Sequence, residues 1–374
     1  MRILLDYRPA LRARSGVGEY VHETARYLVS DYPGDSVTLF TSSWKDRPDA
    51  SLEAAWPGVR ISDHRIPVAL LNLGWHNLEW PPVELLTRRR FDVAFSPHPL
   101  LLPTRYAAQV VMVHDLDFLH HPERTQREIR RDYPRLAALH ARRAERVIVP
   151  SRYTAAEVSR MFGVPQERIS LCPPGVPKWR EPVLQHAPKA GYILFMGTLE
   201  PRKNVGLLLA AYRRLLARHA ELPKLMLAGM VGPDAQPWLQ AIAQPPLAGH
   251  VEHIGYVTET NRQRVYGGAR LLVLPSFHEG FGMPVLEAMS LGIPVIVSDR
   301  GALPELVGDA GLLVSPDSED PLAMAVERLL SEDLLATALS ERGRERARRF
   351  DWHQTARAVH QAFEEAIRIR AHRN

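Results

Sequence analysis

A chain of 374 residues, 45% apolar and 24% charged, has the composition of a soluble globular protein and is too long for one ordinary core, so two domains of similar size are expected. No uninterrupted apolar run reaches the ~18 residues that a membrane span needs. The opening MRILLDYRPALR does not read as a secretory signal, and a lone Cys172 rules out an internal disulfide and fits a cytoplasmic setting.

In chain order, short β-rich apolar runs alternate with longer helical segments. Residues 2–6, 36–41, 92–96, 109–114 and 146–150 read as strands, with amphipathic helices over 19–29 and 152–162. A second series of strands follows at 191–197, 224–229, 251–254, 271–275, 294–298 and 311–314. Helices are expected among them over 205–219, 262–267, 284–291, 321–331 and 333–348. This alternation predicts parallel sheets with helices on both faces, in two doubly wound, Rossmann-like α/β domains. Prolines 173, 174, 177, 182 and 188 crowd the segment 172–188, which suits an extended connection between the domains.

Ligands of such sheets bind at the carboxyl ends of the strands, so the loops after strands are the candidate sites. The first, 6–18, enters a helix through Gly16 and Gly18, which can present backbone amides to phosphate or simply make a tight turn. The third glycine of a dinucleotide fingerprint is missing, because the chain continues Glu19–Tyr20–Val21. The second loop carries His114 at the predicted end of its strand, followed by Asp115, which either orients the ring or caps a turn. His120 and His121 follow without converging partners, and no metal set is read from the sequence.

The third loop, GTLEPRKN over 197–204, places Arg202 and Lys203 immediately before a helix. A fork and a point charge together neutralise a diphosphate without a divalent metal. The fourth is LLVLPSFHEGFGMPVLEAMSL over 271–291, a strand, a glycine-punctuated loop and a helix start. Gly280 and Gly282 permit close backbone approach, and Pro284 is placed at the first helical position. Glu279 lies in this loop and Glu287 is expected in the first helical turn. Eight residues apart, they read as separate hydrogen-bond acceptors for the two ends of an extended ligand rather than as an acid–base pair.

The net charge is +5, and lysine occurs only at 45, 178, 189, 203 and 224, so arginine supplies nearly all of the positive charge. Its clusters at 88–90, 130–131, 142–143 and 342–349 read as solvated helix faces, or as contacts with an anionic membrane or a phosphorylated substrate. No nucleic-acid module accompanies them.

Taken in order, SGVGEY, VMVHDLDFLHHPE, VIVPSRYTAAEV, FMGTLEPRKN, VEHIGYV, VLPSFHEGFGMPVLEAMSLGIPVIVSD and GALPELVGDAGLLV resemble the large retaining glycosyltransferase family four, over essentially the whole chain. The resemblance implies the GT-B architecture, two facing Rossmann-like domains with an interdomain cleft. It sets the N-terminal acceptor-side domain at 1–176, the donor domain at 177–349 and a C-terminal helix crossing back at 350–374. It implies that Glu279, with amides around Phe281, Gly282 and Met283, binds the donor sugar. Glu287 would hold the ribose, Arg202 and Lys203 the diphosphate with help from Gly16 and Gly18, and Val257 the base, with His114 near the reacting face. Ser151 is read as the cap of its helix. The linker departs from the family pattern, with Pro173–Pro174–Gly175–Val176–Pro177 where an Asn and an Asp are common.

The implied activity is transfer of a hexose from a nucleoside-diphosphate sugar, mannose from GDP-mannose in the first instance, to a glycan or lipid-linked acceptor in surface polysaccharide synthesis. No cofactor is required, and the implied location is the cytoplasm, including its membrane face. A UDP-sugar donor, a GT-B phosphorylase or epimerase, and a sugar-nucleotide-binding protein without turnover are the alternatives, with a Rossmann oxidoreductase the weakest.

Overall fold

The computed structural model describes residues 1–11, 14, 16–49, 51–124, 127–180 and 189–373, with side chains of 124–132 outside the description. Part of the 6–18 loop, the side chains of the 130–131 arginine pair and the proline-rich stretch 181–188 therefore lie outside the description. The chain forms two compact units, Met1–Gly175 with Asp351–Asn374, and Val176–Phe350.

Unit 1 is built on a seven-stranded sheet: β1 (Arg2–Asp6), β2 (Ser36–Ser42), β3 (Arg60–His64), β4 (Val93–Ser96), β5 (Ala108–Met112), β6 (Arg146–Val149) and β7 (Ile169–Leu171), in the order β3-β2-β1-β4-β5-β6-β7. Every pairing is parallel. The central strands are almost wholly apolar because helices cover both faces, and Ile3, Leu4, Leu5, Val93, Phe95, Val110 and Val111 are fully buried. The helix Trp352–Arg373 belongs to this unit and packs on the helix Gly16–Asp31 and on β5 and β6. Trp352 meets Tyr20 edge-on at 5.8 Å, and Phe363 lies 5.4 Å from Phe95.

Unit 2 is built on a six-stranded parallel sheet: β8 (Tyr192–Met196), β9 (Leu225–Ala228), β10 (Val251–Gly255), β11 (Ala269–Leu274), β12 (Val295–Ser298) and β13 (Leu312–Val314), in the order β10-β9-β8-β11-β12-β13. One continuous core joins these strands to the helices Val205–Leu216, Met283–Ser290 and Glu319–Ser331. In both sheets the order reverses direction beside the first strand, at β1/β4 and at β8/β11, which opens a crevice at those carboxyl ends.

Three expectations are corrected. The edge strands β3 and β7 were not predicted, because RISDH and ISL are short and only half-buried, so neither shows an apolar run. The strand carrying His114 ends at Met112, which leaves the histidine two residues into the loop. The helix after the glycine-rich loop begins at Met283, so Pro284 is its second residue and Glu287 falls in its second turn. The dipole of that helix start therefore does not account for Glu287. Helices Val68–Leu78 and Arg127–Arg143 were also unpredicted; the latter carries Pro134 in its interior.

Candidate functional site

β8 and β11 are neighbours in the sheet, so the loops leaving their carboxyl ends meet. The amide of Phe277 donates to the carbonyl of Arg202 at 2.9 Å and ties one loop to the other. After β8 the chain turns through the 3-10 segment Pro201–Lys203, and Asn204 takes a left-handed conformation (φ 55°) that an Asn tolerates. Its side-chain amide donates to the carbonyl of Pro316 at 2.8 Å and fixes the turn.

These loops bring Arg202, Lys203 and Glu279 into one cluster. Lys203 Nζ donates to Glu279 Oε1 at 2.5 Å, and Arg202 Nη1 reaches Glu279 Oε2 at 3.2 Å and the His278 carbonyl at 2.9 Å. Arg202 Nη2 also donates to Glu200 Oε1 at 2.8 Å. Ser276 Oγ donates to Glu279 Oε1 at 2.7 Å, while Ser298 Oγ anchors the Ser276 carbonyl at 2.6 Å. Burial alone would raise the pKa of Glu279, but the charges of Lys203 and Arg202 and the bonds from Lys203 and Ser276 outweigh it, to about 2. Glu279 is therefore a carboxylate at neutral pH, oriented by two cations and a hydroxyl.

Glu287 projects from the helix Met283–Ser290 into a different set of partners. Arg262 Nη1 donates to its Oε1 at 3.0 Å and the Tyr266 hydroxyl to its Oε2 at 2.7 Å. Arg262 and Tyr266 are four residues apart on the helix Glu259–Gly267, so they share a face. Burial first, then the Glu287 charge, holds the Tyr266 phenol well above its ordinary pKa, so it remains a donor. Trp179 packs edge-on against Tyr266 at 6.1 Å, and its Nε1 donates to Ser290 Oγ at 2.9 Å.

Between the carboxylates runs the glycine-rich loop. Gly282 caps the helix at φ 106°, a left-handed conformation that calls for glycine, and a Cβ there would also crowd Leu303 Cδ2 at 2.7 Å. Phe281 is buried edge-on against Phe350 at 5.6 Å, and Met283 begins the helix, half-buried. Val257 follows β10 and is half-buried against the core of the unit.

In unit 1 His114 is half-buried beyond β5. Its Nε2 lies 3.0 Å from the Pro97 carbonyl and so carries the proton, which leaves Nδ1 as an acceptor. Burial depresses its pKa to about 4, so the ring is neutral at pH 7. Gly16 opens the helix Gly16–Asp31, exposed. Gly18 is buried, and a Cβ there would lie 2.7 Å from the Pro9 carbonyl, so close packing accounts for its lack of a side chain. Ser151 caps its helix by accepting from the Thr154 amide at 3.0 Å, as expected.

Sequence reasoning missed Arg262 and Tyr266, although their spacing on a short polar helix was the available signal. It also missed a cluster at the carboxyl ends of β1 and β4. There Asp6, fully buried, accepts from Arg8 Nε at 2.8 Å and Nη2 at 2.6 Å and lies 3.1 Å from His98 Nε2. Arg8 stacks over the Trp75 ring at 4.9 Å and donates to Asn72 Oδ1 at 3.2 Å. Several basic clusters have structural partners: Arg143 pairs with Glu79, and Arg346 donates to the carbonyls of Leu306 at 2.9 Å and Glu305 at 2.6 Å.

A family model described as "Glycosyl transferases group 1" matches residues 179–346, and one described as "Glycosyltransferase Family 4" matches residues 14–180. The chain is 32% identical over 370 residues to O-antigen chain mannosyltransferase B of Escherichia coli, which covers 94% of this chain and 96% of that protein. Among solved structures, sucrose-phosphate synthase from Thermosynechococcus elongatus superposes with a TM-score of 0.78 at 21% identity, over 97% of this chain and 98% of that one. Anabaena Alr3699/HepE in complex with UDP-glucose superposes with a TM-score of 0.71 at 17% identity, over 96% and 98%. The two parallel-sheet units and these likenesses show the GT-B fold. The chain belongs to glycosyltransferase family 4.

Proposed function

We propose that this glycosyltransferase moves a mannosyl unit from GDP-mannose to a hydroxyl of a glycan or lipid-linked acceptor in surface polysaccharide synthesis, with retained anomeric configuration and without a metal or cofactor. The observation that carries this reading is the meeting of Arg202, Lys203 and buried Glu279 where the loops after β8 and β11 come together, with a second buried carboxylate, Glu287, held separately by Arg262 and Tyr266. The similarity to an O-antigen chain mannosyltransferase over 94% of the chain supports the choice of sugar and acceptor class.

In this reading Arg202 and Lys203 take the diphosphate, helped by amides at Gly16 and Gly18, and Glu279 is left to accept from the sugar hydroxyls with the amides of Phe281, Gly282 and Met283. Glu287 accepts from the ribose hydroxyls, and the loop at Val257 borders the base. The bond between the anomeric carbon and the β-phosphate oxygen breaks while the acceptor oxygen bonds the same face of that carbon. The acceptor proton passes to the departing phosphate, so no side chain serves as base. Charge building on the leaving group is stabilised by fixed cations, an electrostatic contribution that needs no proton transfer. His114, neutral, offers a hydrogen-bond acceptor rather than an acid.

A thermal-shift panel of nucleotide sugars tests the donor. Stabilisation by GDP-mannose above all others is expected. Stabilisation by a UDP-sugar alone would replace the donor, and no response to any would overturn the reading. The configuration of the product, read by NMR, and activity in the presence of a chelator test retention and metal independence.

A further inference from the structure

Glu200 follows β8 and precedes Pro201, which restricts it to extended backbone (φ −138°, ψ 156°). Its carbonyl accepts from the Lys203 amide at 3.0 Å, so the turn that presents Arg202 and Lys203 is built on this residue. Its side chain serves no part of that turn. Arg202 Nη2 donates to Glu200 Oε1 at 2.8 Å, and among the described residues Arg202 is the only partner of this carboxylate.

The bond falls on the nitrogen that a phosphate needs. An arginine grips an oxyanion bidentately through Nη2 together with either Nε or Nη1. Arg202 Nη1 is committed to the His278 carbonyl at 2.9 Å and to Glu279 Oε2 at 3.2 Å. The fork that remains runs through Nη2, and Glu200 holds it. The charges point the same way. Arg202 and Lys203 face Glu200 and Glu279, so the four side chains sum to zero and leave no surplus positive charge for a diphosphate. One carboxylate has to yield. Glu279 is 7% exposed and held by Lys203, Arg202 and Ser276. Glu200 is 30% exposed and held by one residue, and a partly exposed ion pair is weak because water solvates both charges once it opens.

We infer that Glu200 is a displaceable counter-ion for Arg202: its carboxylate occupies Nη2 while the donor site is empty, and a donor phosphate takes its place. The inference rests on the proposed function, which assigns Arg202 to the diphosphate. Glu200 acts through Arg202, as a positioning residue, and not on the sugar. It keeps the guanidinium aimed before the donor arrives and returns to it as the nucleoside diphosphate leaves, which shortens the stay of the product.

Calorimetric titration and stopped-flow displacement with GDP, and with UDP in a parallel arm, compare the full chain with its Glu200→Gln and Glu200→Ala variants. Glu200→Gln keeps the size of the side chain and removes the competing charge. Both variants should bind the diphosphate about 5-fold more tightly, the upper value for a partly exposed ion pair. The gain should lie in slower dissociation, as expected for contacts made at the site itself. In turnover, KM for the donor should fall and inhibition by the released diphosphate should strengthen by the same factor. The unfolding midpoint of the empty protein should stay at the wild-type value. Unchanged or weakened affinity in both variants would overturn the inference, because Glu200 would then merely support Arg202. A gain confined to the association rate and lost at high salt would overturn it too, since that marks repulsion at a distance. A wild type that binds neither GDP nor UDP would sink the transfer reaction and this inference together. A wild type that binds either one, with variants that bind it no more tightly, would sink this inference alone.

Discussion

The Tyr266 hydroxyl donates to Glu287 Oε2 at 2.7 Å, and both groups are buried. The bond joins two helices of unit 2, so the aim of the Glu287 carboxylate depends on a residue twenty-one positions earlier in the chain. Tyr266→Phe keeps the ring and its packing but removes the donor. A lost hydrogen bond to a charged group costs about 1.5–3 kcal/mol, so nucleoside-diphosphate affinity should fall roughly 10- to 100-fold by calorimetry. KM for the donor should rise while kcat is nearly unchanged, the signature of lost ground-state binding. Equal losses in kcat and kcat/KM would place Glu287 at the reacting centre instead.

The Lys203–Glu279 pair makes a sharper prediction because both partners are buried. Lys203→Ala removes one of the two cations that hold Glu279 as a carboxylate and should destabilise unit 2 by about 3 kcal/mol. Adding Glu279→Gln should restore much of that stability by removing the stranded charge. Neither variant should transfer sugar. Chemical denaturation of the single and double variants measures the coupling, and additive losses would show that the pair does not interact.

The two carboxylates should also differ in what they recognise. Glu279→Ala should impair discrimination among sugars while free nucleoside diphosphate still binds. Glu287→Ala should weaken the free nucleotide by at least about 10-fold, the scale of a charged hydrogen bond. Competitive displacement of a labelled nucleotide separates the two outcomes.

Acid should loosen the two units at different pH. Burial, joined by Arg14 and Arg26, takes His22 to about 3; burial, joined by Arg143, takes His140 to about 4; and burial takes His114 to about 4. All three belong to unit 1 and are neutral when folded. Their unfolded values lie near 6.5, so below that pH the unfolded chain binds protons that the folded unit refuses. This stability is complete above pH 6.5 and is lost as pH falls toward about 4. Glu279 in unit 2, depressed from 4.5 to about 2, gives its contribution up only below pH 4.5. Hydrogen exchange at pH 5, corrected for intrinsic rates, should therefore rise in unit 1 relative to pH 7 before it rises in unit 2.

The parts of the molecule legible in the sequence are those whose signal is local. Buried parallel strands such as β1 and β11 are continuous apolar runs, and a loop after such a strand is marked by position, which is how Arg202, Lys203 and Glu279 were found. β3 was illegible because an edge strand buries little, and its sequence RISDH carries no period. The partnership between Lys203 and Glu279 spans seventy-six residues and follows from β8 and β11 lying side by side, an order that no local pattern encodes. Arg262 and Tyr266 were passed over for the same reason, since their helix is polar and its buried face is defined by what it serves. The Asp6–Arg8 pair lay in plain view, but only the fold brings His98 and Trp75 to it.

The return of the helix Trp352–Arg373 to unit 1 has a consequence for biosynthesis. Unit 2 is contiguous in sequence, so all of its strands and its core helices have been synthesised once Phe350 has been joined. Unit 1 at that moment still lacks the helix that covers Tyr20 and Phe95. The half of the protein translated first is thus the half completed last, and it waits with an apolar face uncovered while its neighbour matures.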